Sequence, residues 1–202
     1  MRFMPSILRL RELVDAGEIG EIRRITADFG FRAEFDPSSR LFDPALGGGA
    51  LLDVGVYPVS LACFLLGEPL AVGGQAYIGE TGVDEEGTAL LEYENGAQAL
   101  LTMSVRLEAP QEAHILGTKG SIWIPAQWWK SERMIVRHKG RTDRAIDIPR
   151  LENGFIYQAE EMMEMIRTGR TESRMMPLDD SLAVMRIMDR IRKHWGLRYP
   201  ME

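Results

Sequence analysis

The sequence predicts an α+β fold, a large, open-faced, mostly antiparallel sheet with its helices packed on one face. Three observations predict it. Segments of helical and strand periodicity come in blocks: helix, strand, helix, a run of strands, then two helices. The strands are short and joined by tight turns, Asn95-Gly96 and Gly117-Thr118-Lys119-Gly120 among them. Strand neighbours are apolar on both sides, as in Leu90-Leu91 and Leu100-Leu101. Three or four helices cover one face, so the second face calls for another protein surface, supplied most simply by a twofold homodimer.

The elements follow in order. Pro5 to Ala16 carries Leu10, Leu13 and Val14 on one helical face, and Pro5 suits a first helical turn. Ile22 to Phe31 alternates as a strand, with Ile25, Ala27, Phe29 and Phe31 on one side. Asp36 to Gly49 reads as a loop. Ala50 to Leu66 is apolar nearly all round and reads as a buried helix, which Pro58 disturbs by removing a backbone donor.

Strands are expected at Val72 to Ile78, Thr88 to Tyr93, Gln98 to Leu107, Glu112 to Leu116, Ser121 to Ile124, Met134 to Arg137 and Ala145 to Ile148. Helices close the chain. Phe155 to Thr168 is expected to turn Ala159, Met162, Met163 and Ile166 inward. Leu178 to Trp195 is expected to do so with Leu182, Met185, Met188, Ile191 and Trp195. Asp179 and Asp180 at one end of that helix, and Arg192 and Lys193 at the other, suit the helix dipole.

The 202 residues suit a single domain with a sizeable core, and 45% hydrophobic with 27% charged residues is ordinary for a globular chain. A net charge of -6 with scattered Lys and Arg disfavours nucleic acid and anionic membranes, which need a concentrated positive face. No apolar run reaches the roughly 20 residues of a membrane span, and no signal-peptide pattern opens the chain. Cys63, the single cysteine, sits among apolar neighbours, so a buried thiol and a cytoplasmic setting are expected.

The most informative stretch is Gly47-Gly48-Gly49-Ala50-Leu51-Leu52-Asp53-Val54-Gly55-Val56-Tyr57-Pro58. The glycines permit close backbone approach or unusual dihedrals at a helix start. Asp53 and Tyr57, four apart, fall on one helical face. They fit either a backbone-bonded Asp beside a packed Tyr, or a polar pair facing a substrate pocket in which Tyr57 moves a proton. His114, His138 and His194 lie on unrelated segments, so no metal site is expected. Ser60, Ser104 and Ser121 lack a nucleophile-elbow context. Glu85-Glu86 and Asp179-Asp180 read as a solvated turn and a helix start, and Arg40 as a solvated charge or pocket residue.

The glycine-rich run, with Asp and Tyr four apart, resembles the signature of the Gfo/Idh/MocA oxidoreductases, in the dimeric dihydrodiol dehydrogenase-like branch. Arg2-Phe3-Met4-Pro5, Ala27-Asp28-Phe29-Gly30, Glu80-Thr81-Gly82-Val83-Asp84, Gly117-Thr118-Lys119-Gly120, Tyr157-Gln158-Ala159 and Gly196-Leu197-Arg198-Tyr199-Pro200 agree in order and spacing. Gln158 departs from the glutamate usual in that family and reads as a surface or outer change. The resemblance implies a Rossmann domain for NAD or NADP, followed by an open-sheet domain that lines the substrate site and dimerises.

Residues 1–202 match only the second domain. The chain has no Gly-x-Gly-x-x-Gly after a strand and no Glu-Lys-Pro segment, so no tightly bound cofactor and no activity are expected of it alone. The resemblance makes Tyr57 the acid/base, with Asp53 orienting it or a substrate hydroxyl. A free tyrosine titrates near about 10, so a cation beside it is required, in the family the lysine that this chain lacks. Trp129 matches an aromatic pocket position, while Trp128-Trp129 also suits core packing. Phe29 and Arg2 are further candidates for substrate contact, and the substrate class is a sugar, inositol, other polyol or trans-dihydrodiol. The other reading is a stand-alone binding or dimerisation module without catalysis.

Overall fold

A computed structural model describes residues 1–202. Helix α1 (Pro5–Asp15) opens the chain with proline in its first turn, and Ile7, Leu10 and Leu13 are buried. Strand β1 (Ile22–Gly30) follows, and a loop with one 3-10 turn (Pro44–Leu46) leads to a helical stretch in two parts. Leu51–Gly55 is π-wound and α2 (Val56–Leu66) is α-wound. Pro58 does not break the stretch. It has no N–H for the carbonyl one turn upstream, and the turn before it widens. From Pro44 to Leu66 the stretch is long and apolar enough to cross a membrane by length and composition, and 61% of its most apolar window is buried inside the fold. Cys63 lies on it, buried, and that burial raises its thiol pKa.

Seven strands come next: β2 (Ala71–Ile78), β3 (Asp84–Glu92), β4 (Gln98–Ser104), β5 (Ala113–Gly117), β6 (Ser121–Ile124), β7 (Arg133–Arg137) and β8 (Arg144–Asp147). They join β1 in one eight-stranded sheet of order β2-β3-β4-β1-β5-β6-β7-β8. Only β1 and β4 run parallel. The β3–β4 hairpin closes through Gly96 at φ +75°. Asn95 stays at negative φ, so the turn is a three-residue loop ending in a left-handed glycine, not the doubly left-handed type.

Alternation divides the two faces. Ile25, Ala27, Leu91, Leu101, Ile115, Ile122 and Val136 face a buried core under α1, α2 and α4 (Leu178–Trp195). The other face is open, and it is mixed where an apolar one was expected. One row crosses all eight strands as Gly73, Leu90, Leu100, Thr26, His114, Trp123, Ile135 and Ala145. Thr88, Thr102, Arg24 and Arg137 flank it, because the period of two that sends one set of residues into the core sends these outward.

The closing helices depart from the predicted packing. On α3 (Ile156–Thr168) only Met165 is buried, and Ala159, Met162, Met163 and Ile166 are exposed. On α4 the inward set is Ala183, Val184, Ile187, Met188 and Ile191, while Leu182 and Met185 face solvent. Both helices carry apolar residues on more than one face. The face that meets the sheet won the core positions, and the second stripe has nothing in this chain to cover it.

Candidate functional site

The site is built around the start of the π-wound helix. The Leu51 N–H donates to Oδ2 of Asp84, 2.6 Å away, and the Tyr199 hydroxyl donates to the Gly48 carbonyl at 2.7 Å. Gly49 has φ +112°, and a Cβ there would collide with the Asp84 carboxylate. The glycine run is therefore a close-packing device: it lets a carboxylate from β3 and a phenol from the chain's end lock the helix start. Burial raises the pKa of Asp84 to about 7, against the lowering effect of the Leu51 N–H, and its second oxygen has no partner.

Tyr57, two turns on, meets Phe29 edge to face at 5.1 Å between ring centroids. Phe29 in turn stacks on Trp129 at 3.8 Å and 10°. Three of the five predicted site residues thus form one aromatic cluster, drawn from a helix, a strand and a 3-10 turn (Trp128–Lys130). Tyr57 and Trp129 line a cavity of about 360 Å³ together with Lys130, Arg150, Phe155 and Gln158. Trp128 takes the core role: it is fully buried, and its Nε1 donates to the Asp28 carbonyl at 2.9 Å.

The other two candidates lie elsewhere. No hydrogen bond joins Asp53 to Tyr57. Arg40 donates to the Asp53 carboxylate at 2.6 Å, so Asp53 is held from the loop and does not orient the phenol directly. Arg2 is 3% exposed, paired with Asp180 of α4 and lying over the Phe64 ring at 4.9 Å. It is a packing residue outside the cavity. An apolar ring and a helix-start carboxylate hold its guanidinium, which is neither substrate-facing nor frayed.

Sequence reasoning missed Lys130, Arg150 and Phe155, and placed Gln158 outside the cavity that it lines. Lys130 follows Trp129 directly, a signal available in the sequence. Arg150 is tied to the Lys130 carbonyl at 3.0 Å and to the Glu132 carboxylate at 3.3 Å. Long sequence separation hid that arrangement. A larger hollow of about 620 Å³ lies by Arg32, Tyr77 and Arg106, away from the aromatic cluster.

A dinucleotide needs a glycine-lined helix start with free N–H groups for its phosphates. Here that position is filled by the Asp84 carboxyl group, which takes the Leu51 N–H and leaves no room for a phosphate. That helix start does not fit the nucleotide's phosphates.

Residues 7–123 match the family model described as GFO/IDH/MocA C-terminal domain. The chain is 36% identical over 209 residues to trans-1,2-dihydrobenzene-1,2-diol dehydrogenase of Xenopus tropicalis, covering 98% of this chain and 62% of that protein. It is 32% identical over 206 residues to scyllo-inositol 2-dehydrogenase (NADP(+)) of Bacillus subtilis (strain 168), covering 99% and 62%. An aldose-aldose oxidoreductase from Caulobacter crescentus, solved with glycerol, superposes with a TM-score of 0.82 at 26% identity, over 96% of this chain and 59% of that one. The chain thus spans less than two thirds of the length of each of these relatives. With the open sheet, the glycine-locked helix and a likeness to dihydrodiol and inositol dehydrogenases along nearly all of its length, the chain belongs to the GFO/IDH/MocA family.

Proposed function

We propose that the chain is the substrate-binding and dimerisation domain of an NAD(P)-dependent oxidoreductase acting on a secondary alcohol of a sugar, inositol or trans-dihydrodiol. The observation that carries this reading is the cavity in which Tyr57 sits beside Trp129 and Lys130. A phenol there gives or takes the alcohol proton, and aromatic walls hold the carbon ring. The nicotinamide, which exchanges hydride with the substrate, belongs to sequence beyond these residues. The exposed apolar stripes of α3 and α4 support the reading that a further domain packs here. The open mixed face of the sheet is the surface for the second copy.

The complete protein, given NADP(+) or NAD(+) with trans-1,2-dihydrobenzene-1,2-diol or scyllo-inositol, is expected to reduce the nicotinamide, and its Tyr57→Phe variant to lose that activity. The 202-residue chain alone is expected to turn over neither. Undiminished turnover by Tyr57→Phe, or tight NADPH binding by the 202-residue chain itself, would sink the reading.

A further inference from the structure

The stack of Phe29 on Trp129 is held by residues that do not line the cavity. Asp28 and Gly30, the neighbours of Phe29 on β1, both grip the segment that carries Gln111. The Asp28 carboxylate accepts the backbone N–H of Gln111 and, at 3.1 Å, that of Glu112. The Gly30 carbonyl accepts from the Gln111 side-chain amide at 2.8 Å. Gln111 passes the restraint on, because its carbonyl accepts the Trp128 N–H at 3.2 Å, while the Asp28 carbonyl accepts the Trp128 indole N–H at 2.9 Å. The two residues that bend the chain here, Gln111 at φ +60° and Gln127 at φ +59°, are its only non-glycine residues with positive φ. A left-handed glutamine persists where its surroundings over-determine it. Trp129 rides on a single 3-10 turn between this clamp and Ser131, too short to fix a ring orientation by itself.

We propose that Asp28 and Gln111 are positioning residues that hold Trp129 flat on Phe29 and thereby set the site's preference for ring-bearing substrates over open-chain polyols. The substrate half of this statement rests on the oxidoreductase reading above, and the geometric half does not. With the clamp in place the indole presents a fixed apolar wall beside Tyr57, to which the carbon face of a ring can lie parallel. Without it the wall becomes mobile. A ring loses its complementary surface, while a small flexible polyol loses little.

The test uses the 202-residue chain labelled with 5-fluorotryptophan, which gives one fluorine resonance for each of its 4 tryptophans. Each resonance is assigned by Trp→Phe replacement. Asp28→Ala is expected to move the Trp129 resonance toward its position in Phe29→Ala, leaving Trp195 in place. Titration with trans-1,2-dihydrobenzene-1,2-diol is expected to show a Kd raised about tenfold, the scale of a lost aromatic contact, with glycerol binding unchanged. Should Asp28→Ala fail to fold, Gln111→Gly serves, since it keeps the left-handed backbone without strain and removes only the amide bond to Gly30. A folded variant with the Trp129 resonance in its wild-type position overturns the proposal, as does an equal loss of diol and glycerol binding. If the wild-type chain binds neither ligand, the oxidoreductase reading is what fails, and the fluorine resonance of Trp129 alone judges the clamp.

Discussion

The ring of Phe29 lies 3.8 Å from that of Trp129 and within 10° of parallel, with Tyr57 edge-on to the same ring. Replacing Phe29 by leucine keeps an apolar filler and removes the stack. We expect a loss of about 1 kcal/mol in chemical denaturation, the usual worth of such a pair, and a KM for a trans-dihydrodiol that rises more than kcat falls.

Tyr57→Phe separates chemistry from packing. The ring and its contact with Phe29 remain and only the hydroxyl goes. In the complete protein we expect kcat to fall by about 10²- to 10⁴-fold, the range for a lost acid/base group. The unfolding free energy of the variant should stay within about 0.5 kcal/mol of wild type. A stability loss matching the activity loss would assign the hydroxyl to packing.

Asp84 makes stability depend on pH. Its carboxyl titrates at about 7 in the folded chain and near 3.9 when unfolded. Between those values the folded state holds a proton that the unfolded state has released, so stability falls as pH rises through that window and levels off above it. The loss is on the order of 4 kcal/mol at about 1.4 kcal/mol per pH unit. Urea denaturation of Asp84→Asn, from acid to mildly alkaline pH, is expected to lack this slope. Gly49→Ala, which drives a methyl into the same carboxylate, is expected to destabilise at every pH.

Ile166 is 72% exposed on α3, in the stripe that includes Met162 and Met163. Ile166→Lys should leave the melting temperature of the 202-residue chain nearly unchanged, since the side chain has little packing to lose. It should also lower concentration-dependent association measured by light scattering. A substantial fall in melting temperature would mean that α3 packs more tightly than its exposure implies.

Much of this molecule was legible in its sequence because strand alternation and turn chemistry are local. Ser121–Ile124 was predicted to the residue, and Pro58 marked the place where the helix winding changes. Tyr57, Phe29 and Trp129 were each nominated, though nothing in the sequence required them to meet. The missed pairings share one cause. Arg2 pairs with Asp180, 178 positions away, and Asp84 caps a helix 33 positions back. Such partners are set by tertiary packing, which periodicity does not encode. The stripes of α3 and α4 failed differently. An amphipathic pattern shows that a face needs covering and does not say whether its own chain supplies the cover.

The uncovered stripe gives the chain a built-in chemical reporter. Met162, Met163 and Met185 place three thioethers on the solvent side of the closing helices. A thioether open to peroxide becomes a sulfoxide, while one pressed against a neighbouring surface is shielded. The mass gained by these three methionines under mild oxidant, set against that of buried Met103 or Met134, therefore measures how completely a docked surface shelters this side of the molecule.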